Sequence, residues 1–325
     1  MSNNALKRVA ITGAAGFIGS TLVDSLLTQG VEVLGIDNFS TGRKEFLKDA
    51  LNNPKFTLLK EDIFSGKDLS DVLVGVDAVF HLAANADVRF GPDHPSRDLE
   101  QNTIATHRVL EAARKAGVKK FIFSSTGSVY GEAEVVPTPE DSPFPVQTSL
   151  YGASKLACEG MIAAYAESFA MQVWIFRFVS ILGPRYTHGH VYDFYEQLMN
   201  HPDGLTVLGN GHQKKSYLHV ADCIAAINRA VDNATDAVNI FNLGVDGYCE
   251  VRDSIGWITS ELGLSPEIAF GRENKGWIGD NPLIHLDIKK IQQLGWKPQF
   301  SIEESVRDTV SFMKANSWIF KSSTQ

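Results

Sequence analysis

The chain has 325 residues, 44% hydrophobic and 21% charged, which is ordinary globular composition and enough for one large unit or two smaller ones. A net charge of −8 with no Lys/Arg block argues against a nucleic-acid partner. Three scattered cysteines, an N-terminus without an apolar signal core and a most apolar stretch (VWIFRFVSILG) that is short and carries Arg177 lead us to expect a reduced, cytoplasmic protein with no membrane span.

In chain order, the first short apolar run is RVAIT (8–12), which leads into TGAAGFIGS. Gly13, Gly16 and Gly19 form GxxGxxG at a strand-to-helix junction, with Phe17 and Ile18 between the last two. Glycines there let the backbone approach a pyrophosphate, whose charge meets the helix N-terminus. The helical stretch GSTLVDSLLTQG is followed by a second run, VEVLGI (31–36), which ends in Asp37 and Asn38. An acid at the end of the second strand suits a ribose diol and repels a 2′-phosphate, so the reading is NAD rather than NADP. The plainer reading of this stretch is tight strand–helix packing with a capping aspartate. FTLLK (56–60) runs into KEDI, where Asp62 and Ile63 stand beside the adenine, although a loop cap explains Asp62 nearly as well.

Next come AVFHLA (78–83), the helical NTIATHRVLEAARKAG, KFIFSS (120–125), the helical SKLACEGMIAAYAESFA and VWIFRF (173–178). The strand–helix alternation closes with DCIAAINRAVDNA and NIFNLG (239–244). Continuous apolar strands alternating with helices predict an α/β fold: a Rossmann-type doubly wound parallel sheet. Residues 1–182, with the return of 217–244, form its dinucleotide-binding part. Residues 183–216 and 245–325 read as a smaller, mixed, loop-rich substrate lobe over the sheet's C-terminal edge.

SLYGASK (149–155) places Tyr151 and Lys155 four positions apart, so on a helix they share a face. Tyrosine loses its proton near pH 10, and bringing that to 7 takes roughly 4 kcal/mol. Lys155 together with an oxidised nicotinamide ring would supply it, and the phenolate would then take a hydroxyl proton as hydride leaves the same carbon. A Tyr–Lys pair on a helix surface is by itself the commoner case. The upstream SSTGSVYG favours the catalytic reading, because Ser124, Ser125 and Thr126 put hydroxyls at the sheet edge where ligands of such folds sit.

Taken together, the glycine turn, HLAANADV, Asn102, FSSTGSVYG, YGASK, FRFVSILGPR, GNGHQKKSYLHVADC and LGWKP resemble an extended short-chain dehydrogenase/reductase of the NAD-dependent sugar epimerase/dehydratase family, in its UDP-glucose 4-epimerase-like branch. The resemblance implies Tyr151 as base, Lys155 on the nicotinamide ribose and Thr126 as third catalytic group. It implies Ala83, Ala84, Asn102 and Ser124 at the cofactor. It also implies that the segment Arg177–Arg185 meets the nicotinamide end and the sugar nucleotide, and that the helices at 102–116 and 151–169 pair in a homodimer.

Dehydratases of the family carry Asp-Glu where this chain has Gly127 and Ser128, and decarboxylases carry Glu at Ser128, so C4 epimerisation of a UDP-sugar is the expected reaction. A 4,6-dehydratase of unusual type, a 4-ketoreductase and a non-catalytic NAD-sensing protein are the rivals. The substrate side departs from the family pattern. Ser180 replaces its Asn, Leu182 an aromatic, Lys215 an Arg and Trp277 a second phosphate Arg, with Arg185, Arg272 or Lys275 as replacements for the lost charge. His188 and His190 shape the sugar pocket rather than hold a metal, since no Cys or carboxylate cluster completes a site. His81 and Cys158 read as core residues.

Overall fold

The computed structural model describes residues 6–86, 91, 93–144, 146–273 and 283–320. β1 (Arg8–Thr12) turns through the glycines into α1 (Phe17–Thr28), and β2 (Glu32–Asp37), β3 (Phe56–Lys60) and β4 (Ala78–His81) follow. A short α2 (Pro95–Asp98) passes through one π-helical stretch (Leu99–Ile104) into α3 (Ala105–Lys115), then β5 (Lys120–Thr126), α4 (Leu150–Phe169) and β6 (Gln172–Phe178).

The chain then leaves the sheet as β7 (Ser180–Leu182), α5 (His190–Asn200), β8 (Gly204–Val207), β9 (Lys214–Lys215) and β10 (Tyr217–His219), and returns with α6 (Val220–Asn233) and β11 (Val238–Leu243). β12 (Cys249–Glu250), α7 (Val251–Leu262), β13 (Glu267–Phe270), α8 (Lys289–Gln293) and α9 (Ile302–Ala315) complete it.

The seven apolar runs pair into one parallel sheet of order β11-β6-β5-β4-β1-β2-β3. Both faces are covered, which is why the runs are apolar without alternation. Phe121, Phe123, Val173 and Ile175 face α4 with Cys158 and Ile162. Ile122, Trp174 and Phe176 face the other way, into a cluster that continues through Val191, Ile255 and Val306. The strand order reverses at β1, flanked by β4 and β2, so a crevice opens at the C-terminal edge between the loops after them.

The second lobe is less loop-rich than expected. Two two-stranded pairs (β9–β12 and β8–β13) and the helices α5 and α7 lie where we read mostly loops. α5 has apolar residues at Val191, Phe194, Tyr195 and Leu198, a helical stripe that the neighbouring His, Gly and Tyr residues obscured. α7 carries a capping box, Glu250 with Asp253, in place of the usual Ser or Thr signal. No helix among the described residues is long and apolar enough to cross a membrane.

Candidate active site

The glycine turn holds its shape by contact. Gly13 has φ +71°, and a Cβ on it would lie 2.8 Å from the Ala83 nitrogen; one on Gly19 would lie 2.0 Å from the Gly13 oxygen. The turn therefore admits no side chain at either position. α1 begins at Phe17 with Gly16 as N-cap and no side-chain cap, so its first N–H groups face the cleft unanswered by a side chain. A cradle closed to side chains, at an uncapped helix start, fits a diphosphate.

Asp37 closes this end. Its carboxylate accepts the Ala15 N–H at 2.9 Å and the Phe39 N–H at 2.8 Å. Burial raises its pKa and those two bonds oppose the rise. Asn38 donates to Asp62 at 2.9 Å, and Asp62 also accepts the N–H groups of Phe64 (2.7 Å) and Ser65 (3.0 Å). Burial acts to raise the Asp62 pKa, but the bonds from Ser65, Asn38 and Phe64 outweigh it and the pKa lies below the ordinary value. Ile63, Ala83 and Ala84 border the same groove.

The reacting centre is built where α4 meets the end of β5. Ser149 caps α4 by accepting the Gly152 N–H at 3.0 Å, so the helix starts at Leu150 and carries Tyr151 in its first turn. Tyr151 faces the Thr126 hydroxyl, which favours its ionised form, and that hydroxyl accepts the Ser128 N–H at 3.1 Å and donates to the Ser128 hydroxyl at 3.2 Å. Ser124, Thr126, Ser128 and Tyr151 all border the cleft.

Lys155 does not border it. It is 2% exposed, donates to the Ser124 carbonyl at 2.9 Å and lies 4.6 Å from the Phe123 ring centre. Burial pulls the Lys155 pKa down to about 8, with Cys158, Glu159 and Asp98 holding it up. The Tyr151 phenol is pushed up to about 12 by burial, against the Thr126 bond, with Asp98 and Cys158 adding to the rise. Among the chain's own groups desolvation dominates at Tyr151; the lowering was expected from Lys155 together with bound NAD⁺.

Asn102, expected at the cofactor, faces inward. It is 1% exposed; its side chain accepts the Asn85 N–H at 2.8 Å and donates to the Ser154 hydroxyl at 2.9 Å. It braces the Ala83–Asn85 wall against α4. Its neighbour Asp98 escaped the sequence reading. That carboxylate is buried, accepts the Asn85 amide at 2.8 Å, and has a second oxygen with no partner among the described residues. In sequence it is one Asp in a polar stretch, with nothing to mark it as buried. His81 lies between the hydroxyls of Thr12 (2.7 Å) and Thr106 (2.9 Å), and burial, with Lys155 nearby, pushes its pKa down to about 3.

Across the cleft stand Ser180, His190 and Lys215. The Ser254 hydroxyl donates to the Val251 carbonyl, so the His190 Nε2–H donates to Ser254 (3.0 Å), and Nδ1 accepts the Tyr217 hydroxyl (2.9 Å). Burial, then Lys215, pushes the His190 pKa down to about 3. With both nitrogens engaged, and His188 stacked on Tyr186 at 5.7 Å, the two histidines do not converge on a common point.

Arg185 is a correction. It does not border the cleft but pairs with Asp24 of α1 at 2.6 Å, 5.9 Å from the Phe46 ring centre. Its backbone is left-handed, at φ +75°, and the side chain runs to α1. Arg177, in the same expected segment, is also buried away from the cleft. Arg272 is exposed and not on the cleft wall; Lys275 and Trp277 lie outside the described residues. Gly127 has its own signature: a Cβ there would lie 2.6 Å from Ile284, which fills the space a side chain would need.

The cleft measures about 1310 Å³, more than the roughly 300–1,000 Å³ of a site for one small molecule. One compartment suits a dinucleotide and the other, across Tyr151, holds the polar wall of Ser180, His190 and Lys215. This fold and this site together define an NAD-binding enzyme of the short-chain dehydrogenase/reductase class. More particularly, the chain belongs to the NAD dependent epimerase/dehydratase family, whose model matches residues 9–244.

It is 35% identical over 317 residues to a UDP-glucose 4-epimerase of Mycolicibacterium smegmatis, covering 95% of this chain and 99% of that one. Its fold matches a UDP-galactose 4-epimerase crystal structure with a TM-score of 0.85 and 38% identity, over 96% of this chain and 100% of the other. It also matches the UDP-glucuronic acid 4-epimerase of Bacillus cereus in complex with UDP-glucuronic acid and NAD (TM-score 0.87, 28% identity, 95% and 99% covered).

Proposed function

We propose that this enzyme is a UDP-hexose 4-epimerase that oxidises C4 of the sugar transiently and retains its NAD through the cycle. The observation that carries the reading is Tyr151 facing Thr126 at the cleft with no acid or base at positions 127 and 128 beside them. Gly127 and Ser128 hold no group that titrates near neutrality, and Ile284 occupies the space of a larger residue 127.

Gly13, Gly16 and Gly19 seat the diphosphate with the α1 N-terminus, Asp37 takes the adenosine ribose diol, and Asp62 and Asn38 stand at the adenine. When bound, NAD⁺ supplies reversible hydride acceptance and a positive charge beside the phenol. Tyr151 takes the C4 hydroxyl proton and returns it, and Thr126 shares that proton. Lys155 holds Ser124 and the helix turn beneath Tyr151 in place. Lys215 meets the substrate diphosphate as a point charge, and Ser128, Ser180 and His190 face the sugar.

The division of labour that goes with this reading assigns the dinucleotide to residues 1–182 with 217–244, and the sugar nucleotide to 183–216 with 245–325. A homodimer through the faces of α3 and α4 belongs to the same proposal and is checked by light scattering on the eluting protein.

The test is to incubate purified protein with a panel of UDP-hexoses and no added cofactor. The 4-epimer should accumulate to equilibrium at unchanged mass, and denaturation should release NAD. A product lighter by one water, or strict dependence on added NADH, would replace epimerisation by dehydration or keto-reduction. NAD release with no turnover of any substrate would leave a sensor protein.

A further inference from the structure

Behind the cleft lies a buried ion pair whose contribution to stability does not explain it. Arg177 is 2% and Glu159 4% exposed, with Nη2 to Oε2 at 2.7 Å and Nε to Oε1 at 3.1 Å. Desolvating such a pair costs about as much as its attraction returns, and apolar residues of similar volume often do as well. Its position is informative. On β5 the residues facing α4 run Phe121, Phe123, then Ser125; on β6 they run Val173, Ile175, then Arg177. Ser125 and Arg177 are partners in register, so the apolar layer ends in a polar one at the sheet's C-terminal edge.

α4 matches that edge. Tyr151, Lys155 and Glu159 follow at intervals of four, one stripe on one helix face. Each engages a different residue at the end of β5. Tyr151 faces the Thr126 hydroxyl, Lys155 donates to the Ser124 carbonyl, and Glu159 accepts the Ser125 hydroxyl. Arg177 is fixed from behind: Nη1 donates to the Tyr130 hydroxyl (2.6 Å) and the Glu140 carbonyl (2.9 Å), and Tyr130 donates to Asn242 of β11 (2.9 Å).

We propose that Glu159, backed by Arg177, is a positioning residue: by clamping Ser125 it sets the strand-end hydroxyl of Thr126 against Tyr151. Neither Glu159 nor Arg177 borders the cleft, so both act through Ser125. The kinetic part of this inference rests on the epimerase reading; the geometric part does not.

The test is Ser125→Ala, which removes the clamped hydroxyl and leaves Glu159 and Arg177 paired, beside Ser125→Thr, which restores a hydroxyl. Ser125→Ala should lower kcat about 10- to 100-fold with KM little changed, the cost of misplacing a reacting group, and Ser125→Thr should recover most of it. In protein labelled with ring-¹³C tyrosine, the Tyr151 resonance (assigned by its absence in Tyr151→Phe) should move in Ser125→Ala and return in Ser125→Thr. The clamp is overturned by wild-type kcat in Ser125→Ala, by an unmoved Tyr151 resonance, or by a loss that follows a falling Tm and that threonine does not restore. If the wild-type protein turns over no UDP-hexose, the epimerase reading fails, and the resonance comparison alone decides the clamp.

Discussion

A histidine whose charged form is disfavoured in the folded state makes a protein sensitive to acid. His81 and His190 both have their pKa pushed down to about 3 from 6.5. In the unfolded chain they bind protons from pH 6.5 downward, and in the folded chain only near pH 3. Between those values the unfolded state holds more protons, so stability falls as pH falls. Tm should therefore drop on titration from pH 7 to pH 4, and His81→Gln should flatten that drop; a slope unchanged by the substitution refutes the assignment.

The substrate-side cations make a second contrast at the residue scale. Lys215→Ala should raise KM for the sugar nucleotide about 10- to 100-fold, the usual worth of a charged hydrogen bond. Arg185→Ala should leave KM unchanged and lower stability by no more than about 1 kcal/mol, because its partner Asp24 is partly exposed. Steady-state kinetics and urea unfolding decide between the two. The motif around Arg185 could not reveal where the side chain goes, since that depends on one left-handed backbone angle and on an aspartate 161 positions away.

Glycines of the individual elements give predictions of opposite sign. Gly19→Ala places a methyl 2.0 Å from the Gly13 carbonyl, a backbone atom that cannot yield without opening the turn. NAD recovered from the purified variant after denaturation should fall to near zero. Gly256, exposed in the middle of α7, has nothing within 4 Å of an added Cβ. Gly256→Ala should stabilise the protein by about 1 kcal/mol in urea unfolding, because alanine favours the helix.

The seven sheet strands were legible because each is a dense apolar run between turn residues, and their observed ends fall within about two residues of the expected ones. α5 was not, because its apolar stripe of Val191, Phe194, Tyr195 and Leu198 is interrupted by His190, Tyr192 and Asp193. That Tyr151, Thr126 and the glycines would meet at one cleft was legible because residue type and spacing mark them locally. Asp98 and Glu159 were not: their importance comes from burial and from partners on other elements, which no local pattern encodes.

At the scale of the whole molecule, the second lobe is not a separate body attached to the sheet. One apolar cluster contains Val9 and Phe176 of the sheet together with Val191, Ile255 and Val306 of the lobe. Shared burial couples their unfolding. Far-UV circular dichroism and the fluorescence of Trp174, in the sheet, and Trp296, near the C-terminus, should report a single coincident transition in urea. Two separated transitions would show that the lobe melts alone.

The close fit of Ile284 against Gly127 also bears on how this chain can change its chemistry over evolutionary time. A mutation that introduces an acid at 127 lands on an occupied space and costs about 1–3 kcal/mol before it brings any new reactivity. Shrinking residue 284 first opens a hole that has no use. A lineage passing from sugar inversion to water loss by that Asp-Glu route must therefore change residues 127, 128 and 284, so descendants of this sequence will tend to keep the outcome of their ancestor's reaction while their sugar preference drifts.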